Sequence, residues 1–110
     1  MKISEKDVIL RIYLGESDHL KGKPLYEQIV LQARSLHLAG ATVLHGILGF
    51  GVDSRLHTTK LLSLSDDLPV IVEIIDKEEN INKLIPYIDE HVTEGLVTME
   101  DVKVLRYRRG

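Results

Sequence analysis

Between Asp7 and Leu14 the chain alternates: Val8, Leu10, Ile12 and Leu14 fall on one side, and Ile9, Arg11 and Tyr13 on the other. A period of two predicts a strand with one buried face. Gly15 to Lys23 is polar, and Pro24 suits the first residue of a helix, where a missing N–H is no loss. Leu25, Ile29, Ala33 and Leu36 then recur at helical spacing, with Gly40 as the expected C-terminal stop. Ala41 to Leu48 predicts a second strand. Pro69 to Ile75 is an apolar run broken only by Glu73, which predicts a strand covered on both faces. Asp76 and Glu79 make an Asp-x-x-Glu capping signal for a second helix, with Ile81, Leu84, Ile85 and Ile88 on its buried side. Pro86 inside that pattern deletes a helical hydrogen bond and should kink the helix or end it early. Thr93 to Asp101 reads as turn-rich around Glu94-Gly95, and Val102 to Tyr107 as the last strand.

The order strand, helix, strand, strand, helix, strand predicts an α+β fold, a split βαββαβ unit with both helices on one sheet face. The second face would then carry Ile9, Tyr13 and one side of the Pro69–Ile75 strand with no helix over them. Apolar patches beyond a few hundred Å² are unusual on a monomer, so another copy of the same sheet is the expected cover, in a homo-oligomer of closed symmetry.

The 110 residues are expected to form one domain, 1–110. A formal net charge of -3 gives no support to nucleic-acid binding. Arg106, Arg108 and Arg109 are enough to hold one or two phosphates. There is no Cys, hence no disulfide framework, thiol nucleophile or zinc ribbon. The charged N-terminus lacks the apolar core of a signal peptide, and no apolar run approaches the roughly 20 residues that span a bilayer. A cytoplasmic location is expected.

Gly40 to Gly51 is the segment richest in candidate chemistry. It opens as a strand and ends in Gly49-Phe50-Gly51, where glycines let the backbone bend or a ligand come close. The long polar segment that follows reads as a binding loop. In a terminal strand Arg106 and Arg108 would point to one side, which suits an anionic ligand; the competing reading is solvated charges that blunt a strand end. His45 and His57 with Asp53 between them lack the tight spacing of metal ligands, and no metal is expected. Asp66-Asp67 fits loop chemistry better than a catalytic acid and base. No Ser-His-Asp or P-loop pattern occurs. Gly46-x-x-Gly49-x-Gly51 follows a strand but opens no helix, so a Rossmann reading fails. No enzyme is expected.

Gly40-Ala41-Thr42-Val43, Gly49-Phe50-Gly51, Leu68-Pro69 entering an apolar strand, and Arg106-x-Arg108 together resemble the PII signal-transduction family. More narrowly, the chain is similar to PII-like proteins with Gly-Lys-Pro-Leu (Gly22 to Leu25) and Asp-Leu-Pro (Asp67 to Pro69). The resemblance implies a ferredoxin-like fold, a compact homotrimer and nucleotide sites in the clefts between subunits. It places Thr42, Val43 and His45 at the base of the site, Gly49, Phe50 and Gly51 at the backbone approach, Gly95, Leu96 and Val97 at the phosphate turn, and Arg106 and Arg108 on the phosphates. The loop 52–67 would touch an effector, a membrane transporter or an enzyme. Val52 and Val70 stand where PII proteins carry a cation, and Glu94 to Thr98 replaces their Gly-Asp-Gly-Lys loop. All three bear on the outer phosphates, so AMP or ADP is expected as ligand in preference to ATP. The alternative is a metal-responsive trimer like the divalent-cation-tolerance proteins, with His45, Asp53 and His57 as ligands.

Overall fold

The computed structural model describes residues 6–50 and 68–108, and the backbone of 57–58. Four strands form the main sheet: β1 (Asp7–Gly15), β2 (Thr42–His45), β3 (Pro69–Lys77) and β4 (Leu96–Asp101). Their order is β2-β3-β1-β4 with every neighbour antiparallel, the ferredoxin-like arrangement. Helix α1 (Leu25–Ser35) connects β1 to β2, and α2 (Glu78–Ile81) and α3 (Ile85–His91) connect β3 to β4. Among the described residues no helix is long and apolar enough to cross a membrane.

The alternation in β1 sorts its side chains as expected. Val8, Leu10, Ile12 and Leu14 are buried, and in register with them Val70, Val72 and Ile74 of β3 are fully buried. Leu25, Ile29 and Ala33 of α1 and Ile81, Leu84 and Ile88 of the second helical segment close over that face. The opposite face carries Tyr13, Ile71, Ile75, Leu44 and Leu96, with Ile75, Leu44 and Leu96 exposed. Pro69–Ile75 is therefore an apolar strand covered on one face within the subunit.

Several boundaries differ from the sequence expectation. Pro86 does interrupt the second helix. Leu84 N–H bonds to Ile81 O at 2.9 Å, a tightened turn, and α3 restarts with the proline in its first turn, where its missing donor is harmless. Asp76 does not cap that helix. The cap residue is Lys77, without a side-chain cap bond, and the Asp76 carboxylate is engaged elsewhere. Strand β2 stops at His45 rather than Leu48. Gly46 N–H bonds to Pro69 O at 2.7 Å, and a Cβ at Gly46 would sit 2.6 Å from the proline ring. Leu48–Gly49 then pairs with His57–Thr58 in a separate ladder. The last strand is Leu96–Asp101, not Val102–Tyr107. Strand β1 needs a partner along its free edge from Val8 to Tyr13, and the chain supplies it directly after Gly95.

Gly40 is not the stop of α1. Leu38 N–H bonds to Ala33 O at 3.1 Å and His37 N–H to Arg34 O at 3.0 Å, the paired bonds of a Schellman ending. His37 takes the left-handed position, φ 63°, that glycine usually fills. A side chain there is strained by about 1–2 kcal/mol, partly offset by the extra freedom glycine has when unfolded. His37→Gly is expected to raise stability by about 0.5–1 kcal/mol in a urea titration, and a destabilised variant would contradict this.

Candidate functional site

Beyond β4 the segment from Val102 to Arg108 has no regular structure. It leaves the sheet where Val102 N–H bonds to Asp7 O at 3.1 Å, and Tyr107 Oη donates to Ala39 O at 2.7 Å. The tail thus returns to the turn between α1 and β2. Between that turn, the tail and the open face of β3 lies a cleft of about 830 Å³. Thr42, Glu73, Ile75 and Arg106 line it, with Gly40 at the rim. That volume falls within the range of small-molecule sites, roughly 300–1,000 Å³.

The rim is held by Asp76. Its Oδ2 accepts from Ala39 N–H at 2.8 Å, and its Oδ1 from Lys77 N–H at 2.6 Å and Asn80 Nδ2 at 3.0 Å. One carboxylate therefore joins the end of β3, the start of α2 and the α1–β2 turn. The other acids near the cleft are also paired: Asp7 with Lys77 at 2.9 Å, and Glu73 with Arg11 Nε at 3.1 Å. Arg11 also donates to Glu100, and Glu100 first and Glu73 second raise its guanidinium pKa above the ordinary value. Arg106 and Lys103, both lining the cleft, have no acidic partner among the described residues, whereas each lining carboxylate is already engaged. An anion fits that balance.

The residues gathered from the sequence fall into two groups. Thr42 and Arg106 line the tail cleft; Arg108 is exposed beyond Tyr107. Val43 directly follows Thr42 and Val97 is level with it across the sheet, whereas His45, Gly49, Phe50, Gly95 and Leu96 lie toward the end of the sheet away from the tail. There Gly49 packs against Pro69, with a Cβ position 3.3 Å from its ring, and Phe50 is 70% exposed. Gly95 turns with φ 140° against the Tyr13 carbonyl, and Leu96 and Val97 follow it at the exposed start of β4. Val43 faces the helices and packs against the core. His45 Nε2 meets Glu16 Oε2 at 3.0 Å and its ring stands edge-on to Tyr26 at 5.7 Å. Gly51, Asp53, most of the loop 52–67 and the His57 side chain lie outside the described residues. Among the described residues no group of His, Cys, Asp or Glu is arranged to hold a metal ion.

Periodicity and motifs do not single out Ala39, Tyr107 or the clamp role of Asp76. Asp76 carries a helix-cap signal in the sequence, and Tyr107 falls in a segment with the pattern of a strand. An aromatic with a polar tip between two arginines was the available clue.

Residues 7–104 match the family model DUF190, described as Uncharacterized ACR. A UPF0166 protein of Aquifex aeolicus is 41% identical over 101 residues, covering 91% of this chain and 94% of the relative. A UPF0166 protein of Methanocaldococcus jannaschii is 38% identical over 102 residues, covering 92% and 94%. Two solved structures share the fold, both of CPII from Thiomonas intermedia K12. The one bound to ADP and bicarbonate aligns with TM-score 0.58 at 22% identity, covering 96% of this chain and 95% of CPII. The other, a nitrogen regulatory PII-like protein bound to ADP, AMP and bicarbonate, gives TM-score 0.61 at 21% identity, covering 96% and 94%.

Proposed function

This chain belongs to the DUF190 family and has a PII-like fold, and from that premise we propose that it is a regulatory, non-catalytic protein that binds an adenine nucleotide. The observation that carries the reading is the cleft beside Thr42, whose carboxylates are all engaged and whose Arg106 has no acidic partner among the described residues. The ligand would lie along the β2 edge, with Arg106 against a phosphate and Thr42 near the base. In a closed trimer the Gly95–Val97 turn of the adjacent subunit would approach Gly49 and complete the site. That arrangement gives both separated groups a role. In this reading the loop 52–67 would report occupancy to an effector. Nucleotide can shift that loop only through unequal affinity for its conformations.

AMP or ADP should bind at least as well as ATP. Val70 is fully buried in the core and cannot supply the cation that an outer phosphate requires. Calorimetry with AMP, ADP and ATP tests this; ATP binding far more tightly than the other two would refute the preference, and no binding at millimolar nucleotide would refute the site. Arg106→Ala should weaken the best ligand by about 10- to 100-fold, since a charge-assisted hydrogen bond contributes about 1.5–3 kcal/mol. Light scattering should give three times the 12.4 kDa subunit mass.

A further inference from the structure

The end of the tail stands between two cavities. On one side is the cleft beside Thr42. On the other, between the end of α1 and the start of α2, lies a second cavity of about 500 Å³, lined by Arg34, His37, Leu38 and Asn80. Ala39, Asp76 and Tyr107 line both. The Tyr107–Ala39 hydrogen bond and the Asp76 clamp therefore form the partition between them. The second cavity has room for a small metabolite.

Its polar groups are unevenly committed. Asp76 is the one acid on its wall among the described residues, and both of its oxygens already accept from N–H donors. The side chains of Arg34 and His37 have no partner among the described residues. That leaves a guanidinium with five donors and an imidazole with a ring N–H on one wall. A cation in the last turn of a helix ordinarily answers the helix dipole, which accounts for Arg34 alone. It does not account for His37, which holds the left-handed position, φ 63°, that glycine takes more easily. The strained turn puts an imidazole on a cavity wall that glycine would leave bare. Donors on two side chains suit a phosphate, whose oxygens point in several directions, whereas a planar carboxylate is satisfied by the fork of one arginine.

We propose that this cavity is a second ligand site, for a phosphate group, free or at the end of a small monoester, with Arg34 and His37 as its donors. A ligand held there braces the turn at Ala39 and the tail at Tyr107, which are also walls of the nucleotide cleft. The two sites then bind cooperatively, each tightening the other by the same factor. The coupling rests on the nucleotide reading above; the phosphate site does not.

Calorimetric titration of the full chain with inorganic phosphate and with glycerol phosphate, each with and without AMP, tests both parts. Saturable binding is expected, tighter for the ester if the cavity takes a monoester and tighter for phosphate if it takes the free anion. Arg34→Gln and His37→Gly should each weaken it about 10-fold or more. His37→Gly is the sharper variant, because its fold should be more stable than wild type and a loss of binding cannot then come from unfolding. Phosphate should tighten AMP binding about fivefold in the wild type. Arg34→Gln should lose that gain while binding AMP alone as the wild type does. Phosphate binding that survives both variants but is lost in Arg106→Ala puts the anion in the cleft beside Thr42 and overturns the second site. So does the absence of saturable binding at millimolar probe, or acetate binding as tightly as phosphate. A gain in AMP affinity that persists in Tyr107→Phe overturns the coupling through the partition. Phosphate binding that depends on Arg34 in a protein that binds no nucleotide upholds the second site and overturns the nucleotide reading instead.

Discussion

Gly95→Ala is expected to lower the unfolding free energy by about 3 kcal/mol. Gly95 adopts φ 140°, a conformation that side chains rarely take, and a methyl group there would collide with the backbone carbonyl oxygen of Tyr13. That oxygen belongs to central strand β1, at the last residue paired with β4, so it cannot retreat without breaking the sheet. At fixed protein concentration the loss corresponds to a fall in Tm on the order of 10–20 °C. Gly40→Ala is the control: nothing lies within 4 Å of its Cβ position, and it should change Tm little. A Gly95→Ala protein that melts within about 2 °C of wild type would refute the assignment of this glycine to a backbone constraint. The consequence reaches function, because the Gly95 turn sets where β4 begins and what it presents to a neighbouring subunit.

Asp76→Ala should cost about 2–4 kcal/mol and should also weaken nucleotide binding. Three donors lose their acceptor at once, two of them backbone N–H groups at Ala39 and Lys77. Asp76 is only half-buried, so water recovers part of the loss, which keeps the figure below the sum of three full hydrogen bonds. Ala39 is the residue to which Tyr107 ties the tail, so freeing the turn loosens one wall of the cleft. Asp76→Asn keeps one accepting oxygen and should fall between Ala and wild type in a denaturant titration. If Asp76→Ala unfolds at the wild-type midpoint, the carboxylate is not the clamp described here. If it is destabilised but binds AMP or ADP normally, the cleft beside Thr42 is not the ligand site.

These two positions differ in how visible they were beforehand. Gly95 stood in a turn signal, so its location was legible; its positive φ and its contact with Tyr13 were not. Asp76 is visible in the sequence as a carboxylate just before a helix, which points to the usual local capping role. Its main partner, Ala39, is 37 residues away, a contact that no local pattern encodes. Glycine is the sequence signal for the end of α1, whereas His37 is the left-handed residue, because core packing of Leu38 outweighs the modest strain. In the sequence Arg11 is only a non-apolar residue in an alternating strand. Its two acidic partners lie 62 and 89 residues away.

The chain by itself determined which segments are apolar on one side and where the proline and glycine breaks fall. From these came the βαββαβ order, the buried sides of β1, α1 and the second helical segment, and the uncovered sheet face. Those features arise from periodicity, which each segment carries within its own dozen residues. Only the tertiary structure decided that 96–101 is the strand and 102–108 the tail. Residues 96–101 are half-exposed on both faces, so burial imposes no alternation on them, and their pairing is dictated by the open edge of β1. The tail's return to Ala39, and with it the cleft beside Thr42, depends on hydrogen bonds between residues distant in sequence, which exist only once the sheet has brought those ends together.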